Sequence, residues 1–134
     1  MIQRLAHVCF VVENLTRSTE FYQDALGLRH GFDFINDQGQ RFGVYLCAGG
    51  QTFVELFTGE HDAPTNRQSY THCCFEVDDI QATVAELQAK GVEVGPVKMG
   101  SDHSWQAWLA DPDGNRIELH QYTAESLQLQ CRRD

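Results

Sequence analysis

The chain repeats itself. The same interval of 65 residues separates His7 from His72, Cys9 from Cys74, Phe10 from Phe75 and Val12 from Val77. The interval is 64 between Gly27 and Gly91. It is 63 between Leu46 and Leu109 and between Glu55-Leu56 and Glu118-Leu119. A register that drifts by only two residues across half a chain marks an internal duplication. Any element order given to one half must then fit the other, and the fold must consist of two like modules.

Each half reads as strand, helix and three further strands. Leu5–Val12 is an apolar strand pattern, and Asn14 is an N-cap for a helix from about 15 to 26. Gly27 ends that helix as a left-handed cap residue. Strands follow near 31–35, 42–47 and 52–57. The stretch 58–69 is polar and turn-rich and reads as a linker. The second copy has a strand over 71–77, an N-cap at Asp79, a helix stopped by Gly91, and strands near 92–98, 105–110 and 116–122. The tail after Thr123 reads as a short helix or coil. The expectation is an α+β chain forming a single domain over 1–134. It has two tandem βαβββ modules at about 3–57 and 70–122, a linker at about 58–69 and a tail at 123–134. Ferredoxin-like pairs lack the third consecutive strand and fit less well.

Composition narrows what such a chain does. Its 134 residues are enough for a sizeable core. The net charge of −9, with no basic cluster, argues against nucleic acid and anionic membrane surfaces as partners. No apolar run approaches the roughly 20 residues of a membrane span, and Met1–Arg4 leads straight into a strand pattern without a signal peptide. Five cysteines, four of them in apolar strand-like runs and two adjacent, read as reduced thiols of a cytoplasmic protein. Their spacing contains no C-x-x-C, which excludes a zinc ribbon.

Four residues do not suit a plain core. In each half a histidine lies in the first strand (His7, His72) and a glutamate in the last (Glu55, Glu118), with apolar neighbours on either side of the glutamate. A carboxylate in mid-strand needs either a wet face or a partner that offsets its burial. One such histidine is usually a satisfied core residue, and one such glutamate is usually solvated or paired, here with Arg116 on the same face. Four at equivalent places in two repeats point to a metal. Two imidazoles and two carboxylates suit Ni, Co, Zn, Mn or Fe as a divalent ion. An octahedral ion so held keeps positions for a small-molecule substrate, and a neighbouring carboxylate can move a proton on and off carbon.

Several strings are similar to a known superfamily: Leu5-Ala-His-Val8, Phe21-Tyr-Gln-Asp-Ala-Leu-Gly-Leu28, Phe53-Val-Glu-Leu56, Thr71-His72 and Asp111-Pro-Asp-Gly-Asn-Arg-Ile-Glu-Leu119. Over about 4–122 the chain resembles the glyoxalase I branch of the glyoxalase/bleomycin resistance/extradiol dioxygenase proteins, the vicinal oxygen chelate superfamily. The resemblance implies a curved mixed sheet around a metal cleft, with His7, Glu55, His72 and Glu118 as ligands. It implies nickel or cobalt as the favoured ion, and Glu118 as the catalytic base with Glu55 sharing the role. It implies a homodimer whose sites take His7 and Glu55 from one chain and His72 and Glu118 from the other. The implied reaction is that of a lyase or isomerase in methylglyoxal detoxification, turning the hemithioacetal of methylglyoxal and glutathione into lactoylglutathione, with glutathione as co-substrate. Related expectations are action on another chelating substrate, an Fe(II) extradiol dioxygenase, in which the Glu55 position is not a ligand, and a non-catalytic binding or resistance module, in which the ligands are absent. The chain departs from bacterial glyoxalase I where that enzyme contacts glutathione. Val11 replaces an Arg, Gly59 replaces an Asn, and Met99–Ser104 replaces a basic Lys-Gly-Gly segment.

Other residues carry weaker expectations. His103 reads as a solvated loop residue, His120 as pocket lining or sheet edge, and His30 and His61 as exposed. Trp105 and Trp108 read as one core and one pocket wall. Tyr45, Phe53 and Phe57 read as core, Cys9 and Cys74 as small buried hydrophobes, and Cys131 as an exposed thiol.

Overall fold

The computed structural model describes residues 3–65 and 67–130. The chain folds as two compact units. One comprises Met1–Thr65 with the turn Asp111–Gly114, the other Asn66–Ala110 with Asn115–Asp134. Among the described residues no helix is long and apolar enough to cross a membrane.

The first unit is a four-stranded mixed sheet in the order β1-β4-β3-β2. Its strands are β1 (His7–Val12), β2 (Arg29–Ile35), β3 (Arg41–Cys47) and β4 (Phe53–Thr58). β1 and β4 are parallel, and the other pairs are antiparallel. Strand alternation sends Phe10, Val12, Val44, Leu46, Val54 and Leu56 to one face, where all are at most 5% exposed. Tyr22 and Leu15 of the helix join this core. The helix begins as α1 (Leu15–Glu20), with the Asn14 side chain accepting from the Arg17 amide. It continues as a π-helical segment over Phe21–Ala25, in which the Leu26 amide reaches back to the Phe21 carbonyl at 3.2 Å. Gly27, at φ +73°, lets the chain reverse, and the Leu28 amide closes onto the Tyr22 carbonyl.

The turn Asp111–Gly114 holds this helix in place. Tyr22 donates to Asp111 Oδ2 at 2.9 Å, and Arg17 donates to the Pro112 carbonyl. Asp113 accepts from the Glu13 amide at 2.9 Å and from the Ser18 hydroxyl at 3.1 Å. His61 is therefore not the exposed surface residue expected. Its Nε2 lies 2.9 Å from Asp113 Oδ1 and its Nδ1 lies 2.9 Å from the Asp62 carbonyl.

The second unit repeats the plan in the order β5-β8-β7-β6. Its strands are β5 (Cys73–Glu76), β6 (Lys98–Met99), β7 (Trp105–Ala110) and β8 (Arg116–Gln121), with β5 and β8 parallel. Its helix, α2 (Ile80–Ala89), is capped by Asp79 on the Ala82 amide and stopped by Gly91 at φ +81°. Ile80, Val84 and Leu87 pack with Ala107, Leu109, Ile117 and Leu119 as its core. Together the units make the expected βαβββ fold, with few helices and two mixed sheets.

Two expectations about elements change, and a third is narrowed. The strand placed over 92–98 shrinks to Lys98–Met99, because Pro96 has no amide to donate and Gly95 makes a single bond to the Trp108 carbonyl. β5 begins at Cys73, so His72 stands one residue before its strand. The tail forms a short helix, α3 (Leu127–Gln130), while Cys131 lies outside the described residues.

Candidate metal centre

The face of each sheet opposite its core carries the polar residues. On the first sheet that face presents His7, Cys9 and Val11 from β1 and Phe53, Glu55 and Phe57 from β4. Register places Cys9 and Tyr45 on either side of Glu55. His7 Nε2 lies 3.6 Å from Glu55 Oε2, and its Nδ1 lies 3.0 Å from the Tyr45 hydroxyl. On the second sheet Cys74 and Trp108 flank Glu118. His72 Nε2 lies 3.1 Å from Glu118 Oε2, and its Nδ1 lies 2.7 Å from the Thr71 hydroxyl.

The two arrangements are equivalent. In each, one ring nitrogen meets a hydroxyl and the other turns towards a carboxylate. A hydroxyl on Nδ1 fixes the ring plane and leaves Nε2 free to ligate, as outer partners of metal-bound histidines do. The donor chemistry thus fits a divalent ion, with one imidazole nitrogen and one carboxylate oxygen per unit. The structure brings His7 together with Glu55 and His72 together with Glu118. Among the described residues there is no group of three or more His, Cys, Asp or Glu that could hold a metal. Each unit thus brings together one histidine and one glutamate.

Local electrostatics distinguish the halves. The Glu118 side chain is 10% exposed and that of Glu55 is 15% exposed. Arg116 does not neutralise Glu118; its guanidinium lies 4.5 Å from the centre of the Trp108 ring. That ring meets His72 edge-on at 4.7 Å, so Trp108 belongs to this face while Trp105 is 38% exposed, and neither is core. His120 is buried rather than at an edge. Its Nε2 lies 3.7 Å from Glu118 Oε1, 3.3 Å from Asp102 Oδ2 and 3.2 Å from Gln106 Nε2. Asp102 is drawn below the usual carboxylate range, chiefly by a hydrogen bond from Gln128. Sequence reasoning missed Asp102 and Gln106, whose only signal was the polar loop before β7. His103 is exposed, as expected, with φ +63°, and its carbonyl accepts from Thr123.

Cys9 and Cys74 are exposed, not the buried hydrophobes expected, and only their thiols are partly desolvated. Partial burial, with Glu55 beside it, pushes the Cys9 thiol up to about 11. Partial burial and the charge of Glu118 push the Cys74 thiol up to about 12. Both remain protonated at neutral pH beside their carboxylates.

Comparison with known proteins identifies the family. Residues 4–119 match the model of the Glyoxalase/Bleomycin resistance protein/Dioxygenase superfamily. The chain belongs to that superfamily. A metallothiol transferase FosB from Staphylococcus epidermidis is 34% identical over 125 residues, covering 89% of this chain and 82% of that protein. A lactoylglutathione lyase from Haemophilus influenzae is 33% identical over 124 residues, covering 87% and 90%. The crystal structure of TnmS3, an antibiotic binding protein from Streptomyces sp. CB03234, superposes with a TM-score of 0.74 at 27% identity, covering 91% of this chain and 98% of that one.

Proposed function

We propose that the chain is a metal-dependent lyase or isomerase of glyoxalase I type, acting on a small molecule that presents neighbouring oxygens to the ion. His7, Glu55, His72 and Glu118 are the ligands in this reading, with nickel or cobalt favoured. The observation that carries it is the repeated His–Glu pair, each with a hydroxyl on the histidine Nδ1. Held by these residues, a divalent cation would offset the carboxylate charges and supply Lewis acidity to a substrate oxygen. The chain's own part is to orient the imidazoles through Tyr45 and Thr71 and to move a proton. Glu118 takes a carbon-bound proton on Oε1, the oxygen turned from His72 towards His120, and returns it to the adjacent carbon. Glu55 is the equivalent group of the other half and shares the role.

Two donors per unit support a homodimer in which His7 and Glu55 of one protomer meet His72 and Glu118 of another. The hemithioacetal of methylglyoxal and glutathione is the first substrate to supply, given the lactoylglutathione lyase relative. A second reading, a binding protein without turnover, is favoured by the likeness to TnmS3.

The test strips the protein and reloads it separately with Ni, Co, Zn, Mn and Fe(II). Methylglyoxal and glutathione are then supplied and thioester formation is followed, with Glu118→Gln as control. Metal-dependent turnover that falls at least 100-fold in the variant, the scale of a lost general base, supports the lyase. Stoichiometric metal binding without turnover removes glutathione chemistry and leaves a metal enzyme with another substrate. Oxygen consumption with Fe(II) points to a dioxygenase. A protein that binds no metal is the binding module.

A further inference from the structure

The open face of the first sheet is aromatic around its metal pair. Tyr45, whose hydroxyl holds His7, stacks on Phe32 with ring centres 4.9 Å apart and meets Phe53 at 5.0 Å. Phe57 lies 4.9 Å from Phe34 and stacks on Phe42 at 5.7 Å. None of these rings is in the core: Phe32 is 49% exposed, Phe42 is 37% exposed, and Phe34, Tyr45, Phe53 and Phe57 are half-buried. Register aligns the bed. Tyr45 opposes Glu55, Gly43 opposes Phe57, and Phe32 and Phe34 oppose Tyr45 and Gly43.

Gly43 is shaped to this bed. A Cβ there would lie 2.5 Å from the Phe57 ring and 2.9 Å from the Leu56 carbonyl. The missing side chain lets Phe57 lie flat over β3. Val11, 44% exposed, extends the apolar surface next to Gly59. Glu55 stands between Cys9 and Tyr45 at the edge of this apolar surface.

An open apolar patch of this kind marks a binding surface. Here it borders a pair of metal donors, so its occupant also chelates. We infer that the substrate carries an aromatic or comparably bulky apolar group next to its chelating oxygens, and that Phe34, Phe53, Phe57 and Tyr45 form the subsite for that group. The inference rests on the metal-dependent reading above and names the substrate class for the same site. Ring-on-ring packing and apolar burial supply the selectivity.

Two probes separate the parts of the argument. Acetohydroxamate and benzohydroxamate chelate a divalent ion through the same two oxygens and differ only in a methyl or phenyl group. Calorimetric titration of the full-length, nickel-loaded protein with each reads the subsite directly. The expected result is a preference for benzohydroxamate of roughly 10- to 100-fold, from the extra apolar area buried. Phe57→Ala should bring the ratio to within about threefold of one, and Phe57→Leu should restore most of it, since Leu refills the apolar volume. Equal affinity of the two probes for the wild type, with both bound, overturns the aromatic subsite and leaves the metal reading standing. Failure of either probe to bind, together with failure to retain nickel, overturns the metal reading and this inference with it.

Discussion

Asp113 offers a sharp test of how the first unit is held together. Its carboxylate is 1% exposed and accepts from the Glu13 amide, the Ser18 hydroxyl and His61. Asp113→Asn keeps the shape and removes the charge. The amide oxygen can still serve Glu13, and the Ser18 hydroxyl can rotate to accept from the new NH2. What is lost is the charge assistance to His61 and Glu13. A hydrogen bond to a charged group contributes about 1.5–3 kcal/mol against about 1 for a neutral one, so the expected loss is about 2 kcal/mol. For a chain of this size that is a fall in Tm of roughly 6–10 °C.

The same substitution has a pH signature. The Asp62 carbonyl and the Asp113 carboxylate face both ring nitrogens of His61 and hold its pKa above the ordinary value. This contribution is complete below the unfolded histidine pKa, about 6.5, and is lost as pH rises through the folded value. Desolvation acts to raise the Asp113 carboxyl, but the Glu13 amide, His61 and Ser18 together bring it below the ordinary value. Its contribution is present above the unfolded carboxylate pKa, about 3.9, and is lost as pH falls through the folded value. Thermal unfolding followed by circular dichroism at intervals from about pH 5.5 to 8.5, a range spanning the ordinary histidine value, reads the histidine limb. The wild-type advantage over Asp113→Asn should shrink as pH rises. Parallel curves for the two proteins would refute the reasoning.

Three further outcomes follow from positions already described. Asp79→Ala removes the acceptor of the Ala82 amide and should cost about 1 kcal/mol in chemical unfolding. Gly43→Ala drives a methyl into the Phe57 ring and a backbone carbonyl. It should cost about 1–3 kcal/mol, as overpacking does, and alter near-ultraviolet dichroism from the aromatic bed. Tyr45→Phe removes the hydroxyl on His7 Nδ1 and keeps the ring. Nickel affinity, measured by competition with a chromophoric chelator, should fall about 10-fold or more, while thermal stability without metal changes little.

Local chemistry made much of the fold readable. Asn14, Asp79, Gly27 and Gly91 each act as the caps their types suggested, because a cap is decided within a few residues. The alternation in β8 set Ile117 and Leu119 on the core face and Glu118 on the other, and the mid-strand carboxylates of β4 and β8 stood out as misfits. The extent of β6, the second strand of the second copy, was misread because valines at 92, 94 and 97 suggested pairing that Gly95 and Pro96 prevent. The environment of the candidate site was harder to read. Phe53 and Phe57 look like core by hydrophobicity, and alternation puts them on the face of Glu55, but the burial of Val54 and Leu56 shows that face to be the open one. Asp111 and Asp113 read as turn residues and are that, but their partners on the first helix lie 89 to 100 residues away. His61 gave no sign of its pairing with Asp113, 52 residues on. Contacts set by topology leave no local mark.

The π-helical segment after α1 has a counterpart in the register of the two copies. From His7 to Gly27 the first copy is one residue longer than the second is from His72 to Gly91. The surplus falls where the chain closes a bond from Leu26 to Phe21 across five residues, while α2 has no such segment. A wider turn takes up one more residue while both glycine caps and both histidines keep their places. The segment thus accounts for the one-residue offset between the two copies. Removing a single residue from Phe21–Ala25 should return the first helix to the uniform winding of its sibling.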